Sequence, residues 1–334
     1  MKAARIVEPM KIEIVDVDKP EAGDGQILVQ NKTTSICGSD MPDFLHERPM
    51  EYPRAPGVPG HENIGIVAQS RCEEYKEGDK VLALPRGNGG FAEYFLSTPG
   101  VTVRLPDGDM RDEMVIAQPL GTVIHACRKL FHPIRYSADA ETGPLDIESW
   151  KLPGVKVAIL GQGGIGLLFT AMMKIMGADT IIGIDPVDYR LEASMKMGAT
   201  HVINASGSDS VEQVKEITNG AMLDVVIEAV GKVSTVNDCL TLARRWGVVL
   251  TFGVPRKSVY DLRFPELFRK ELKLLGSVGP QVQLDFPPAV DMVASGKIDV
   301  SPTISHRMLL DDIQKAFEIS AEKKDGAIKI LLGF

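Results

Sequence analysis

Between Val155 and Asp185 the chain reads VKVAILGQGGIGLLFTAMMKIMGADTIIGID, an order of residues that few folds accommodate. Val155 to Leu160 is a short β-branched apolar run that stops at a glycine cluster, the pattern of a buried parallel strand. The cluster comprises Gly161, Gly163, Gly164 and Gly166. Beyond it, Ile165, Leu167, Leu168, Met172, Met173 and Met176 recur at spacings of three and four, which predicts a helix packed on a sheet. A second apolar run, Thr180 to Ile184, ends on Asp185.

Strand, glycine turn, helix and strand together form the unit that binds dinucleotides. Gly161 permits the tight turn, Gly163 lets backbone approach a pyrophosphate, and Gly166 lets the helix pack closely on the strand. The pyrophosphate is expected at the positive end of the helix, where free N–H groups point outward. Asp185 stands at the offset from which a carboxylate accepts hydrogen bonds from both adenosine ribose hydroxyls. A 2′-phosphate there meets a negative charge, so NAD is expected over NADP. Arg190 offers a guanidinium either to such a phosphate or, as we read it, to the adenine face.

With 334 residues the chain has room for two domains, each with its own core. Its net charge of −8, without any basic stripe, argues against nucleic acid or a membrane surface as partner. No apolar run approaches the roughly 20 residues that span a bilayer. The opening MKAARIVEPMKIEIVDVD alternates apolar and charged residues, as strands do and a signal peptide does not, so a cytoplasmic location is expected. Cys37, Cys72, Cys127 and Cys239 are scattered and form neither a zinc-ribbon spacing nor a disulfide framework.

From Met1 to about Val103, short strand-like runs separated by Gly, Pro and Asp turns predict a mostly antiparallel β module. Two polar clusters interrupt it where strands meet loops: Cys37-Gly38-Ser39-Asp40 and Gly60-His61-Glu62. Taken singly, Cys37 reads as a small buried side chain and His61 as a structural histidine. Together with Glu62 they supply a thiolate, an imidazole and a carboxylate, the ligand set of a catalytic zinc with one open position.

These motifs, with GDKV at 78–81, GFAEYF at 90–95 and EAVG at 228–231, resemble the zinc-type medium-chain dehydrogenases of alcohols, polyols and threonine, over nearly the whole chain. The resemblance implies an α/β architecture: a GroES-like β-barrel catalytic domain (1–124 and 285–334) and an inserted, doubly wound Rossmann domain (125–284). It makes Cys37 and His61 zinc ligands with Glu62 beside the metal, places Ser39 on the substrate hydroxyl, and makes Asp40 the carboxylate that orients His61. It assigns Thr122 and Ile165 to the nicotinamide, and Val230, Gly231, Gly253, Val254, Ser277 and Val278 to further cofactor contacts.

The third ligand departs from the pattern. Relatives place a glutamate before the proline of VIAQPLGT, and here Gln118 offers only a neutral oxygen. Either Glu62 supplies the missing anion, or Gln118 binds weakly or through water, or the metal has been lost; we expect one catalytic zinc. The four-cysteine lobe of a structural zinc is absent, and Pro42 replaces a proton-relay histidine, with His46 as a nearby alternative. The stretch 131–154 exceeds the usual connection and reads as a surface excursion or as an oligomer contact around Tyr136 and Trp150.

Further strands are expected at 199–204, 223–230, 247–254 and 272–279, with an amphipathic helix at 310–320 and a last strand IKILLGF. The expected activity is NAD-linked oxidation of a secondary alcohol, a small polyol, sugar or hydroxy compound, with Ser39, His61 and Glu62 at the chemistry and a homodimer or homotetramer implied by the resemblance. A metal-free reductase of the same fold, and a dinucleotide-binding protein without turnover, are the alternatives.

Overall fold

The computed structural model describes residues 1–47, 49–106, 109–131, 145–207 and 209–334. The chain forms two compact units, Met1–Gly121 with Gln281–Phe334, and Thr122–Pro280.

The first unit opens with an antiparallel hairpin, β1 (Lys2–Glu8) and β2 (Lys11–Asp16). β3 (Ile27–Ser35), β4 (Asn63–Ser70), β5 (Lys80–Ala83), β6 (Tyr94–Ser97) and β7 (Thr102–Arg104) follow. β3 is flanked by β4 and β6, both antiparallel, and most of its nine residues are buried. The sheet continues from β4 to β5 and on to β7, over a core that includes Ile27, Val29, Val67, Val81 and Phe95.

The second unit carries a parallel sheet in the order β10-β9-β8-β11-β12-β13. Its strands are β8 (Lys156–Leu160), β9 (Thr180–Asp185), β10 (His201–Asn204), β11 (Leu223–Glu228), β12 (Ala243–Thr251) and β13 (Lys273–Gly276). The strand order reverses between β8 and β11, which is the doubly wound arrangement expected from the sequence. β11, β12 and β13 stop two or three residues short of their apolar runs. The cause at β11 is Glu228, whose Oε1 accepts the N–H groups of Val230 (2.9 Å) and Gly231 (2.8 Å) and turns the chain out of the sheet.

The chain then returns to the first unit with β14 (Ile304–Leu309), a helix over Ile313–Glu322 and β15 (Lys329–Gly333). β15 lies antiparallel to β3, Leu332 opposite Thr34, and parallel to β14, giving a seven-stranded sheet. The helix packs Phe317 against Phe44 and Phe91, with ring centroids 5.2 and 5.6 Å apart.

Much of the expected excursion, 132–144 with Tyr136, lies outside the described residues. Trp150 is buried in its own unit and stacked on Phe131 at 5.6 Å, so its apolar face is already covered within the chain. Among the described residues no helix is long and apolar enough to cross a membrane.

Candidate active site

The pairing of β3 with β4 brings the two polar clusters together. Thr34 sits opposite Asn63, the N–H of Ser35 donates to the Glu62 carbonyl (3.1 Å), and the Thr34 hydroxyl donates to the same oxygen (2.8 Å). Cys37, just past the end of β3, therefore meets His61 and Glu62, just ahead of β4. Gly60 is needed there, because a Cβ at that position falls 2.7 Å from the Phe91 nitrogen and 2.9 Å from its ring.

Cys37, His61 and Glu62 each present a ligand atom, and these atoms lie within 4.8 Å of one another. His61 Nδ1 lies 3.2 Å from Asp40 Oδ1 and 3.1 Å from the Pro59 carbonyl, which leaves Nε2 for a metal. Asp40 is itself fixed, its other oxygen accepting the Cys37 N–H at 2.8 Å. Ser39 Oγ stands 3.4 Å from His61 Nε2 and is half-buried. Burial works against the His61 imidazolium, but Asp40 and Cys37 outweigh it and hold the imidazole pKa well above its usual value. A sulfur, a pre-oriented nitrogen and an oxygen at this spacing suit zinc, a borderline-soft ion.

Sequence reasoning missed Lys329. The pairing of β15 with β3 places its ammonium 2.8 and 2.6 Å from the two oxygens of Glu62 and 3.2 Å from the Ile36 carbonyl, and the Ser35 hydroxyl donates to Glu62 as well. Glu62 is 1% exposed and Lys329 5%, so both charges are out of water. Burial raises the Glu62 pKa, yet the Lys329 and His61 charges outweigh it and leave the carboxyl below its ordinary value.

Gln118 stands on the first turn of the helix Ala117–Phe131 and is buried. It makes no hydrogen bond to Cys37, His61 or Glu62. The preceding turn, Asp112–Ile116, packs against β3 and β4. Thr122 lies one turn further along the same helix. His46, the alternative relay, is exposed at the left-handed end of a short helix, with its ring 5.5 Å from Tyr52.

In the second unit the glycine turn has the expected local form. Gly161 adopts φ +91°, and a Cβ on Gly166 falls 1.7 Å from the Gly161 carbonyl oxygen, a clash no side chain survives. The helix starting at Gly164 has no side chain capping its N-terminus, so its first N–H groups face outward. Ile165 is half-buried on that first turn.

Asp185 ends β9 with a second task that the sequence did not disclose. Its Oδ2 accepts the Gln162 N–H (2.8 Å) and its Oδ1 the Val187 N–H (3.0 Å), and the residue is 3% exposed. The carboxylate thus braces the glycine turn as well as standing where a ribose is expected. Arg190 lies 3.9 Å from Asp185 Oδ2 and 4.0 Å from a Cβ placed on Gly163, which sets its guanidinium against the turn.

Val230, Gly231, Gly253 and Val254 are brought together where β11 and β12 end. A Cβ on Gly231 falls 2.1 Å from the Val254 carbonyl, and one on Gly253 falls 2.0 Å from the Gly231 nitrogen. Val254 and Val278 project into solvent, 56% and 89% exposed, and the N–H of Ser277 bonds the Thr251 carbonyl at 3.0 Å. Exposed apolar residues at the carboxyl ends of parallel strands are what a bound cofactor covers.

Residues 23–107 match the alcohol dehydrogenase GroES-like domain, and residues 164–295 match the zinc-binding dehydrogenase domain. An alcohol dehydrogenase of Cupriavidus necator is 31% identical over 99% of this chain and 98% of its own length. Sorbitol dehydrogenase of Bacillus subtilis is 28% identical over 99% and 97%. The solved L-idonate 5-dehydrogenase of Escherichia coli superposes with a TM-score of 0.80 at 25% identity, covering 100% of this chain and 98% of that one. The chain belongs to the zinc-type medium-chain alcohol dehydrogenase family and is an oxidoreductase.

Proposed function

We propose that the chain oxidises a secondary alcohol of a polyol, sugar or sugar acid by zinc-assisted hydride transfer to NAD, and catalyses the reverse reduction. The observation that carries this reading is the cluster of Cys37, His61 and Glu62 within 4.8 Å, in a chain that also holds an open glycine turn. The relatives named for sorbitol and idonate support the substrate class.

Cys37 and His61 would hold the zinc, with Glu62 and Gln118 as the candidates for the remaining protein donor. Zinc bound there supplies a Lewis acid for the substrate oxygen, and the dinucleotide supplies the hydride acceptor. The residues do the rest. Asp40 fixes the His61 tautomer. Ser39 accepts the hydroxyl proton and, being half-exposed, passes it to water, so neither Pro42 nor His46 is required. Thr122, Ile165, Val230, Gly253, Val254, Ser277 and Val278 hold the nicotinamide half of the cofactor, and Asp185 and Arg190 the adenosine half. Family membership supports a cytoplasmic homodimer or homotetramer as the working form.

A specific observation favours a second reading, a metal-free reductase: Gln118 is neutral and Glu62 is already engaged by Lys329. Metal analysis of purified protein, coupled to an activity screen of polyols and hydroxy acids with NAD and NADP, separates the two. Zinc at one per chain and NAD-linked turnover lost in Cys37→Ala is the expected result. Full activity without zinc would overturn the metal-based reading.

A further inference from the structure

The ammonium of Lys329 faces three acceptors, Glu62 Oε1 at 2.8 Å, Glu62 Oε2 at 2.6 Å and the Ile36 carbonyl at 3.2 Å. Its three hydrogens are therefore fully used. Glu62 has both oxygens on Lys329 and a further bond from the Ser35 hydroxyl. Three of the roughly four acceptor sites of this carboxylate are thus taken, and moving Glu62 onto an ion beside Cys37 and His61 stretches its bonds to a cation that no water can replace, since Lys329 is 5% exposed and Glu62 1%. Charge points the same way. A thiolate and a carboxylate offer a dication a net −2, and the ammonium reduces this to −1. Gln118 restores nothing, being neutral.

We propose that Lys329 is a positioning residue that keeps Glu62 off a metal ion held by Cys37 and His61, so that the affinity and coordination number of this site are set from β15. The inference rests on the metal-based reading above. It assigns Gln118, directly or through water, the place beside Cys37 and His61 that a carboxylate fills in relatives. It also makes the wild-type chain a weaker zinc binder than its thiolate, imidazole and carboxylate would suggest.

The test uses the full chain and two readouts besides activity: zinc affinity by chelator competition, and the absorption spectrum of the cobalt(II)-loaded protein, which reports coordination number. Lys329→Met is expected to bind zinc about tenfold more tightly or better, the scale on which residues behind the ligands act. Its cobalt spectrum should shift as Glu62 enters the coordination sphere. The gain should vanish in the Glu62→Gln/Lys329→Met double variant. Affinity unchanged or weakened in folded Lys329→Met overturns the proposal, as does a gain that survives in the double variant. Should Lys329→Met fail to fold, Glu62→Gln alone decides: an unchanged cobalt spectrum is expected, and a shifted one shows that Glu62 was a ligand all along. Folded proteins that bind neither metal overturn this proposal and the metal-based reading together, whereas binding indifferent to Lys329 overturns this proposal alone.

Discussion

Asp40 places a carboxylate oxygen 3.2 Å from Nδ1 of His61 while its second oxygen accepts the N–H of Cys37, so one buried side chain orients both soft donors of the site. Replacing Asp40 with Ala removes the charged partner of the ring nitrogen, leaving only the Pro59 carbonyl, and frees the Cys37 backbone. Zinc affinity is expected to fall roughly 10–100-fold. Chelator competition measures it, and an unchanged affinity would show that Asp40 acts on folding alone.

The sequence made the nucleotide turn readable because strand, turn and helix are local: the spacing of Ile165, Leu168 and Met172 and the run Thr180–Asp185 carry their own periodicity. Cys37 and His61 were legible as a pair only because each sits in a distinctive short motif. Lys329 was not. A lysine inside IKILLGF looks like a solvated face, and its partner lies 267 residues away, brought near by the pairing of β15 with β3. The same holds for Asp185, whose offset announces a ribose while its bonds to Gln162 and Val187 depend on the turn having formed. Strand ends were misjudged where a side chain, Glu228, captured the backbone that the apolar run would have continued.

The buried pair Glu62–Lys329 sets a pH window for the metal-free protein. The folded pKa of Glu62 is lowered, so its contribution is present above its unfolded value of about 4.3 and is lost as pH falls through the folded value. That of Lys329 is raised, Glu62 and Cys37 outweighing its burial, so its contribution is present below about 10.4 and is lost as pH rises through the folded value. Wild type should therefore keep a higher thermal midpoint than the Glu62→Gln/Lys329→Met double variant throughout those limits, the size of the gap changing where His61, whose charge also lowers the Glu62 pKa, titrates. The difference should shrink at both extremes, and a wild type no more stable than the variant between them would contradict the pairing.

Gly166→Ala puts a methyl group 1.7 Å from the Gly161 carbonyl. The backbone must shift, at a cost of about 1–3 kcal/mol in stability. Dinucleotide binding, followed by NADH fluorescence, should weaken at least as much, because the displaced segment is the one where the pyrophosphate is expected. Retention of wild-type affinity would place the nucleotide elsewhere.

Asp185→Asn keeps an acceptor oxygen for one backbone N–H but removes the charge that a 2′-phosphate meets beside Arg190. The ratio of kcat/KM for NADP over NAD should rise by about tenfold, the equivalent of roughly 1.4 kcal/mol. Steady-state kinetics with both cofactors decides it; an unaltered ratio would remove Asp185 from cofactor choice.

Gln118→Glu supplies an anionic donor at the position where the resemblance to zinc-type dehydrogenases leads one to expect a glutamate. Zinc occupancy and turnover should both increase. Loss of turnover with no change in zinc would instead favour Gln118 as a hydrogen-bond donor to the substrate oxygen.

Because β15 is stitched into a sheet begun by β3 some three hundred residues earlier in the chain, bringing Lys329 to Glu62 requires closure of a long loop, whereas Cys37 and His61 meet through β3 and β4 alone. Closing so long a loop costs entropy that a folded segment in the middle of it would reduce by shortening the flexible path. A nucleotide unit that folds first would shorten that path. Mutations deep in its core should slow the arrival of Lys329 at Glu62 without touching either residue.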